Sequence, residues 1–297
     1  MFIIKQSHRL LYPKLSIIYK SNVLFLIHAY SRCSCAIADT YVILTFMKEN
    51  ETLKRRVLDL ANRCYQQNIY TFSGFLNAAE VSDVYSMERE LDFIPWKLFG
   101  GTEGCERQML RFGSEETLGY EEEFPISCVV IRPSAPKFAE DLSHRDFLGA
   151  LMNLGIERDV LGDIIVRDSV GYVFCEDAMA AYLADNITQV RHTVMTTEVT
   201  KECPGQAAPQ FLEEEFVVSS NRCDVIIAKA YKLSRTRSTE LFHAGKIFVN
   251  GRQYDRNSGI LKSGDIVSVR GFGKFVFRGF LQETKKGRIR VGIARYV

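Results

Sequence analysis

The sequence predicts an α+β protein, on three observations. The 297 residues are 46% hydrophobic and 25% charged, ordinary values for a globular chain of two or three domains. Apolar residues recur at helical spacing in some stretches and as β-branched runs in others. Turn dipeptides such as Asp168-Ser169 and Asn250-Gly251, and capping residues such as Asn77, Ser143 and Ser234, punctuate these stretches at short intervals. The composition excludes a disordered chain, a collagen and a polytopic membrane protein.

Residues 1–46 are basic, with short apolar clusters such as Val23-Leu24-Phe25-Leu26-Ile27. No run there reaches the roughly 20 residues that a bilayer requires. Ala36-Ile37-Ala38 mimics a signal-peptide cleavage site, but Lys20 breaks the apolar stretch upstream and His28 and Tyr30 follow its core. The favoured reading is a dispensable leader outside the fold, with structure opening at a second start-like Met47.

From Leu53 the spacing predicts a helix, and Thr71–Leu76 reads as a turn. Asn77 caps a helix to about Glu90, and a strand covers Phe93–Phe99, closed by Gly100-Gly101. This makes 47–120 a helical and strand region. In 121–205 the expected order is a buried strand at Phe124–Ile131 and a Ser143-capped helix to Leu154. A hairpin about Asp168-Ser169, a helix at Asp177–Ala184 and one long strand, Ile187–Val199, follow. That is a small sheet with helices on one face, a ferredoxin-like unit. It lacks the aromatic-rich strand motif on which the commonest such RNA module stacks bases, so little RNA contact is expected of it. Cys203–Pro209 reads as a linker.

The net charge of +2 hides an asymmetry. Residues 217–297 hold 17 Lys and Arg against 5 acidic residues, whereas the first 216 hold 21 basic and 31 acidic ones. A compact basic block on an acidic chain is the footprint of a polyanion binder. The eight cysteines include no C-x-x-C and have no histidine at zinc-ligand spacing, so they read as buried apolar residues in a reducing compartment. No metal or cofactor is expected. His144-Arg145-Asp146 reads as a helix start rather than a catalytic set, Glu121–Glu123 and Glu213–Glu215 as solvated charge, and Trp96 as core.

In the basic block, Ser219-Ser220 are expected to cap a helix over 221–230, and Ser234 a second over 235–244 that stops at Gly245. Strands at Lys246–Val249 and Asp265–Val269 follow. Arg235 and Arg237 fall in the first turn of the second helix, where N–H groups and the dipole favour phosphate. Arg222, Lys246 and Arg252 can add to that face, and Asp224 orients Arg222. Arg288 and Arg290 alternate with apolar residues, so a terminal strand would put both on one face.

Arg222-Cys223-Asp224, Ser234-Arg235, Gly245–Gly251 and Gly264-Asp265 resemble the S-four RNA-binding domain, across about 217–272. That implies a small αα-β domain, here within 211–297. The RNA surface expected of this block is drawn from Arg222, Ser234, Arg235, Arg237, Lys246, Asn250, Arg252, Arg270, Lys274, Arg288 and Arg290. From Met47 onward the chain also resembles the YlmH family. Phe99–Arg107, Leu142–Gly155, Val269–Phe275 and Lys285–Val291 carry this resemblance. It implies a cytosolic, ribosome-associated and monomeric RNA-binding protein without catalysis. The implied partners are ribosomal RNA on the large subunit and tRNA, in handling ribosomes obstructed by peptidyl-tRNA, with no membrane. The competing readings are an RNA-modifying enzyme, of pseudouridine synthase or methyltransferase type, and a protein-interaction adaptor.

Overall fold

A computed structural model describes residues 35–284 and 287–296, with side chains from residue 51. The chain divides into two compact units, residues 1–53 and 54–297. Helix α1 spans Cys35–Gln67 without a Gly or Pro to stop it, so the composition break at Met47 is not an element boundary. The leader expected at 1–46 otherwise lies outside the described residues.

In the larger unit, β1 (Thr71–Leu76) replaces the expected turn. It pairs with β3 (Gln108–Phe112), which sequence reading missed, and β3 pairs with β2 (Trp96–Phe99). The register slips between Phe72 and Phe75, so Ser73-Gly74 forms a bulge inside a strand rather than a chain reversal. Asn77 caps α2 (Ala78–Ser86) with Glu80 completing the capping box, and a single 3-10 turn, Glu88–Glu90, follows. A short helix, α3 (Glu115–Leu118), leads toward the middle sheet.

That sheet has the order β5-β6-β4-β8-β7, antiparallel throughout. Its members are β4 (Ile126–Pro133), β5 (Leu161–Arg167), β6 (Val170–Glu176), β7 (Gln189–Val190) and β8 (Thr193–Thr200). The single strand expected over 187–199 is two, because Arg191 takes a positive φ of 54° and the chain turns back. Helices α4 (His144–Met152) and α5 (Asp177–Asn186) cover one face. Val129 and Ile131 of β4 point into the core shared with Phe147, Leu151 and Leu183. Cys128 and Val130 point the other way, against Phe75 and Met109 of the β1-β3-β2 sheet. Burial on both faces is why β4 reads as an unbroken apolar run. The linker expected at Cys203–Pro209 is instead packed down. Ala207 is fully buried, and Tyr172 donates its hydroxyl to Gln206 at 2.5 Å.

The C-terminal module comprises β9 (Phe211–Val218), α6 (Cys223–Ala230), α7 (Arg235–His243), β10 (Ile247–Val249), β11 (Arg252–Gln253), β12 (Ile266–Val269), β13 (Gly273–Glu283) and β14 (Ile289–Tyr296). The strands form one sheet, β11-β10-β12-β13-β14-β9, larger than the two-strand expectation. Cys223, Ile226, Ile227, Leu241 and Phe242 pack the two helices onto Phe275, Val291 and Ile293. Arg222, not Ser219 or Ser220, occupies the N-cap of α6. The run Glu213–Glu215 is a cross-sheet charge ladder rather than merely solvated. Glu213 meets Arg278 at 2.8 Å, Glu214 meets Arg295 at 2.7 Å, and Glu215 lies 3.7 Å from Arg290. Trp96 is half-buried against Tyr85. Cys64, Cys105, Cys128, Cys175 and Cys223 are free and buried, as apolar residues would be.

Candidate nucleic-acid interface

Arginines gather where α6 and α7 begin. Arg222 donates to both carboxylate oxygens of Asp224, at 3.0 and 2.8 Å. The Asp224 carbonyl accepts the buried Ser238 hydroxyl of α7 at 2.9 Å, which ties the two helix starts together. Arg235 donates to the Ser219 hydroxyl at 3.1 Å, bringing the end of β9 to the same place. Ser234 caps α7 by accepting the Arg237 N–H at 3.1 Å, and Arg237 reaches Glu240 at 2.9 Å. Arg222, Arg235 and Arg237 are all exposed.

The first turn of α7 holds two cations and no acid. Cations at a helix N-terminus oppose the macrodipole, where an anion would gain about 0.3–1 kcal/mol. A phosphate is the kind of anion that a helix N-terminus with guanidinium groups beside it can bind. Nearby in the chain, the exposed Lys246 accepts the Arg270 N–H on its carbonyl at 2.9 Å. The Arg270 guanidinium lies 4.3 Å from the centre of the Phe248 ring. Phe272, which sequence analysis overlooked, is exposed beside Tyr231 at 5.7 Å and offers a ring for stacking. Its flanking glycines masked it as a loop residue.

The other expected residues are placed differently. Asn250 spends its side chain inside the module, donating to Asp265 and accepting the Ile266 N–H at 2.9 Å. Arg252 pairs with Asp83 of α2, and Lys274 with Glu106 at 2.5 Å, so both face the N-terminal part of the unit. Arg290 lies in β14 opposite Val217 and 3.7 Å from Glu215, whereas Arg288 immediately precedes the strand. His144 begins α4, with Asp146 accepting the Ser143 N–H and hydroxyl at 2.9 and 2.6 Å, the capping role expected. Among the described residues no group of three or more His, Cys, Asp or Glu is placed to hold a metal. No helix among them is long and apolar enough to cross a membrane.

These features define a mixed helix-and-sheet protein with an exposed cationic face on a helix pair. Residues 120–202 match the family model described as the putative RNA-binding domain in YlmH. A curated relative, ribosome-associated protein quality control protein P2 of Bacillus subtilis (strain 168), is 26% identical over 251 residues, covering 84% of this chain and 96% of the relative. A solved structure, cell division protein ylmH from Streptococcus pneumoniae, aligns over 51% of this chain and 91% of its own at 18% identity, with a TM-score of 0.42. The chain is YlmH-like. The family description attaches a putative RNA-binding role to the middle unit, from which the sequence reading expected little contact.

Proposed function

We propose that this chain is a non-catalytic, cytosolic and monomeric RNA-binding protein that acts on the ribosome. Its C-terminal module, of S-four type, binds ribosomal RNA phosphates on the large subunit and serves in handling ribosomes obstructed by peptidyl-tRNA. The observation that carries the reading is the acid-free first turn of α7, where Arg235 and Arg237 stand exposed on a block of 17 basic and 5 acidic residues. The match to a putative RNA-binding domain and the similarity to a ribosome-associated quality control protein of B. subtilis support a ribosome-related RNA-binding role. The middle unit, strand-helix-strand-strand-helix-strand with β5-β6-β4-β8 as neighbours, supports the ferredoxin-like reading. Its sheet cannot serve as an open base-stacking platform, because Phe75 and Met109 cover the face that the helices leave.

The test is crosslinking of the full chain to purified ribosomes, followed by mapping of the crosslinked RNA. The reading expects a discrete site in large-subunit RNA that is lost in an Arg235→Ala, Arg237→Ala double variant. Protein-only crosslinks, or a site indifferent to both arginines, would contradict it.

A further inference from the structure

Away from the α6–α7 face, the larger unit holds an open cleft of about 750 Å³. Arg107, His144, Arg158, Arg167 and Lys274 line it, with Glu106 and Asp163 as the acidic residues. Four cationic side chains and two carboxylates therefore line it, and one cation, Lys274, is already paired with one of the acids. Asp163 accepts the backbone N–H groups of Glu106 and Arg107 at 2.7 and 3.1 Å. Glu106 pairs with Lys274 at 2.5 Å.

Two guanidinium groups converge on one neutral acceptor. Arg107 Nε and Arg158 Nη1 both donate to the Leu161 carbonyl, at 2.8 and 3.1 Å. Arg107 Nη2 also bonds the carbonyls of Phe75 and Arg158, both at 2.9 Å, and Arg158 Nη1 bonds that of Gly162 at 3.1 Å. Every one of these partners is a carbonyl. Neither guanidinium forms an ion pair with a carboxylate among the described residues, although Glu80, Asp159 and Asp163 lie near enough to act on Arg107 through space. Carbonyls fix the orientation of an arginine without neutralising it.

Burial, with the adjacent Arg107 charge, pushes the Arg158 pKa down to about 10, and it remains a cation at neutral pH. Desolvation, then Arg158 and Lys274, lowers the pKa of His144. The volume lies within the range of small-ligand pockets.

We propose that this cleft binds a phosphate group, with Arg107 and Arg158 as its rigid wall and His144 and Lys274 at its rim. The ligand is either the phosphate monoester of a mononucleotide or RNA end, or the diester of an RNA backbone. The cleft is separate from the α6–α7 face, so the inference does not rest on the reading given above.

The experiment follows the His144 imidazole by NMR in the full-length chain, with a His144→Gln variant to assign the signal. The titration midpoint is measured in sodium phosphate and in sodium chloride of equal ionic strength. A bound anion beside the imidazole should raise the midpoint by about one pH unit, saturably. Lys274→Gln and Arg158→Gln should each weaken the phosphate response about tenfold, the loss of one charge-assisted contact, and Arg158→Lys should recover most of it. Adenosine monophosphate and a short RNA without terminal phosphate separate the two sources. A response to the first alone supports a monoester site, and a response to both supports a backbone site. Equal midpoints in the two salts and with both added ligands would overturn the proposal. So would an unchanged dependence of the shift on phosphate concentration in Lys274→Gln, which decides the matter if Arg158→Gln does not fold. Arg235→Ala should leave the His144 response unchanged, so failure of this site and failure of the α6–α7 face are told apart.

Discussion

Asp224 holds Arg222 in a two-pronged grip, with both carboxylate oxygens within 3.0 Å of the guanidinium. The acid is buried while its partner is exposed. One residue thereby anchors a cation at the helix junction and, through its carbonyl, the Ser238 hydroxyl of the next helix. Asp224→Asn removes the charge with little change of size. The variant should lose about 1–3 kcal/mol of stability, the range for a weakened charged hydrogen bond, and bind RNA more weakly. Urea unfolding and an RNA titration check both parts.

A second expectation concerns the hairpin turn Asn250-Gly251. Gly251 has φ of 75°, and a Cβ there would lie 2.7 Å from the Ala79 nitrogen and 3.2 Å from the Ala78 Cβ. Glycine thus lets the turn seat against α2, beside the Arg252–Asp83 pair. Gly251→Ala should cost about 1–3 kcal/mol through backbone strain. Calorimetry should record a Tm lower by about 2–4 °C for each kcal/mol lost.

A third expectation is a pH dependence set by Glu214. Its hydrogen bond from Arg295 holds the carboxyl below the ordinary value of 4.5, with burial opposing. A carboxyl depressed in the fold stabilises it at pH values above 4.5, and that contribution fades as pH falls through the lower folded value. The pair is partly exposed, so the contribution should be below about 1 kcal/mol. Urea unfolding of the native chain should lose stability on acidification across this window more steeply than Glu214→Gln does.

Local signals in the sequence were legible. Asn77, Ser143, Ser234 and the Asp168-Ser169 turn each act through neighbours a few residues away, and each falls where expected. Long-range pairing was not legible. β3 is five residues long and only completes a pattern when β1 and β2 flank it. The Glu213–Glu215 run is matched to Arg278, Arg290 and Arg295 only by the register of β9, β13 and β14, more than sixty residues apart in sequence. The proline-bearing segment 203–209 resembles a linker in composition, yet Ala207 finds a buried place on the middle sheet. Among the expected RNA contacts, the helix-start arginines came together because Arg222 opens α6, the Ser234 cap sets the start of α7, and Ser238 ties α7 to the Asp224 carbonyl. Arg252 and Lys274 were drawn toward Asp83 and Glu106, acids that no local pattern connects with them.

The central claim, that the α6–α7 face binds phosphates, is tested most directly by the salt dependence of RNA affinity in three single variants. Each neutralised phosphate contributes about 0.7–0.9 to the slope of log K against log salt. Arg235→Ala and Arg237→Ala should weaken binding to many RNA sequences and make the slope shallower by about that amount each. Lys232, exposed in the turn before the Ser234 cap, should matter less when replaced by alanine. Equal and small losses in all three variants, with an unchanged slope, would contradict the account and leave these cations as interchangeable surface charge.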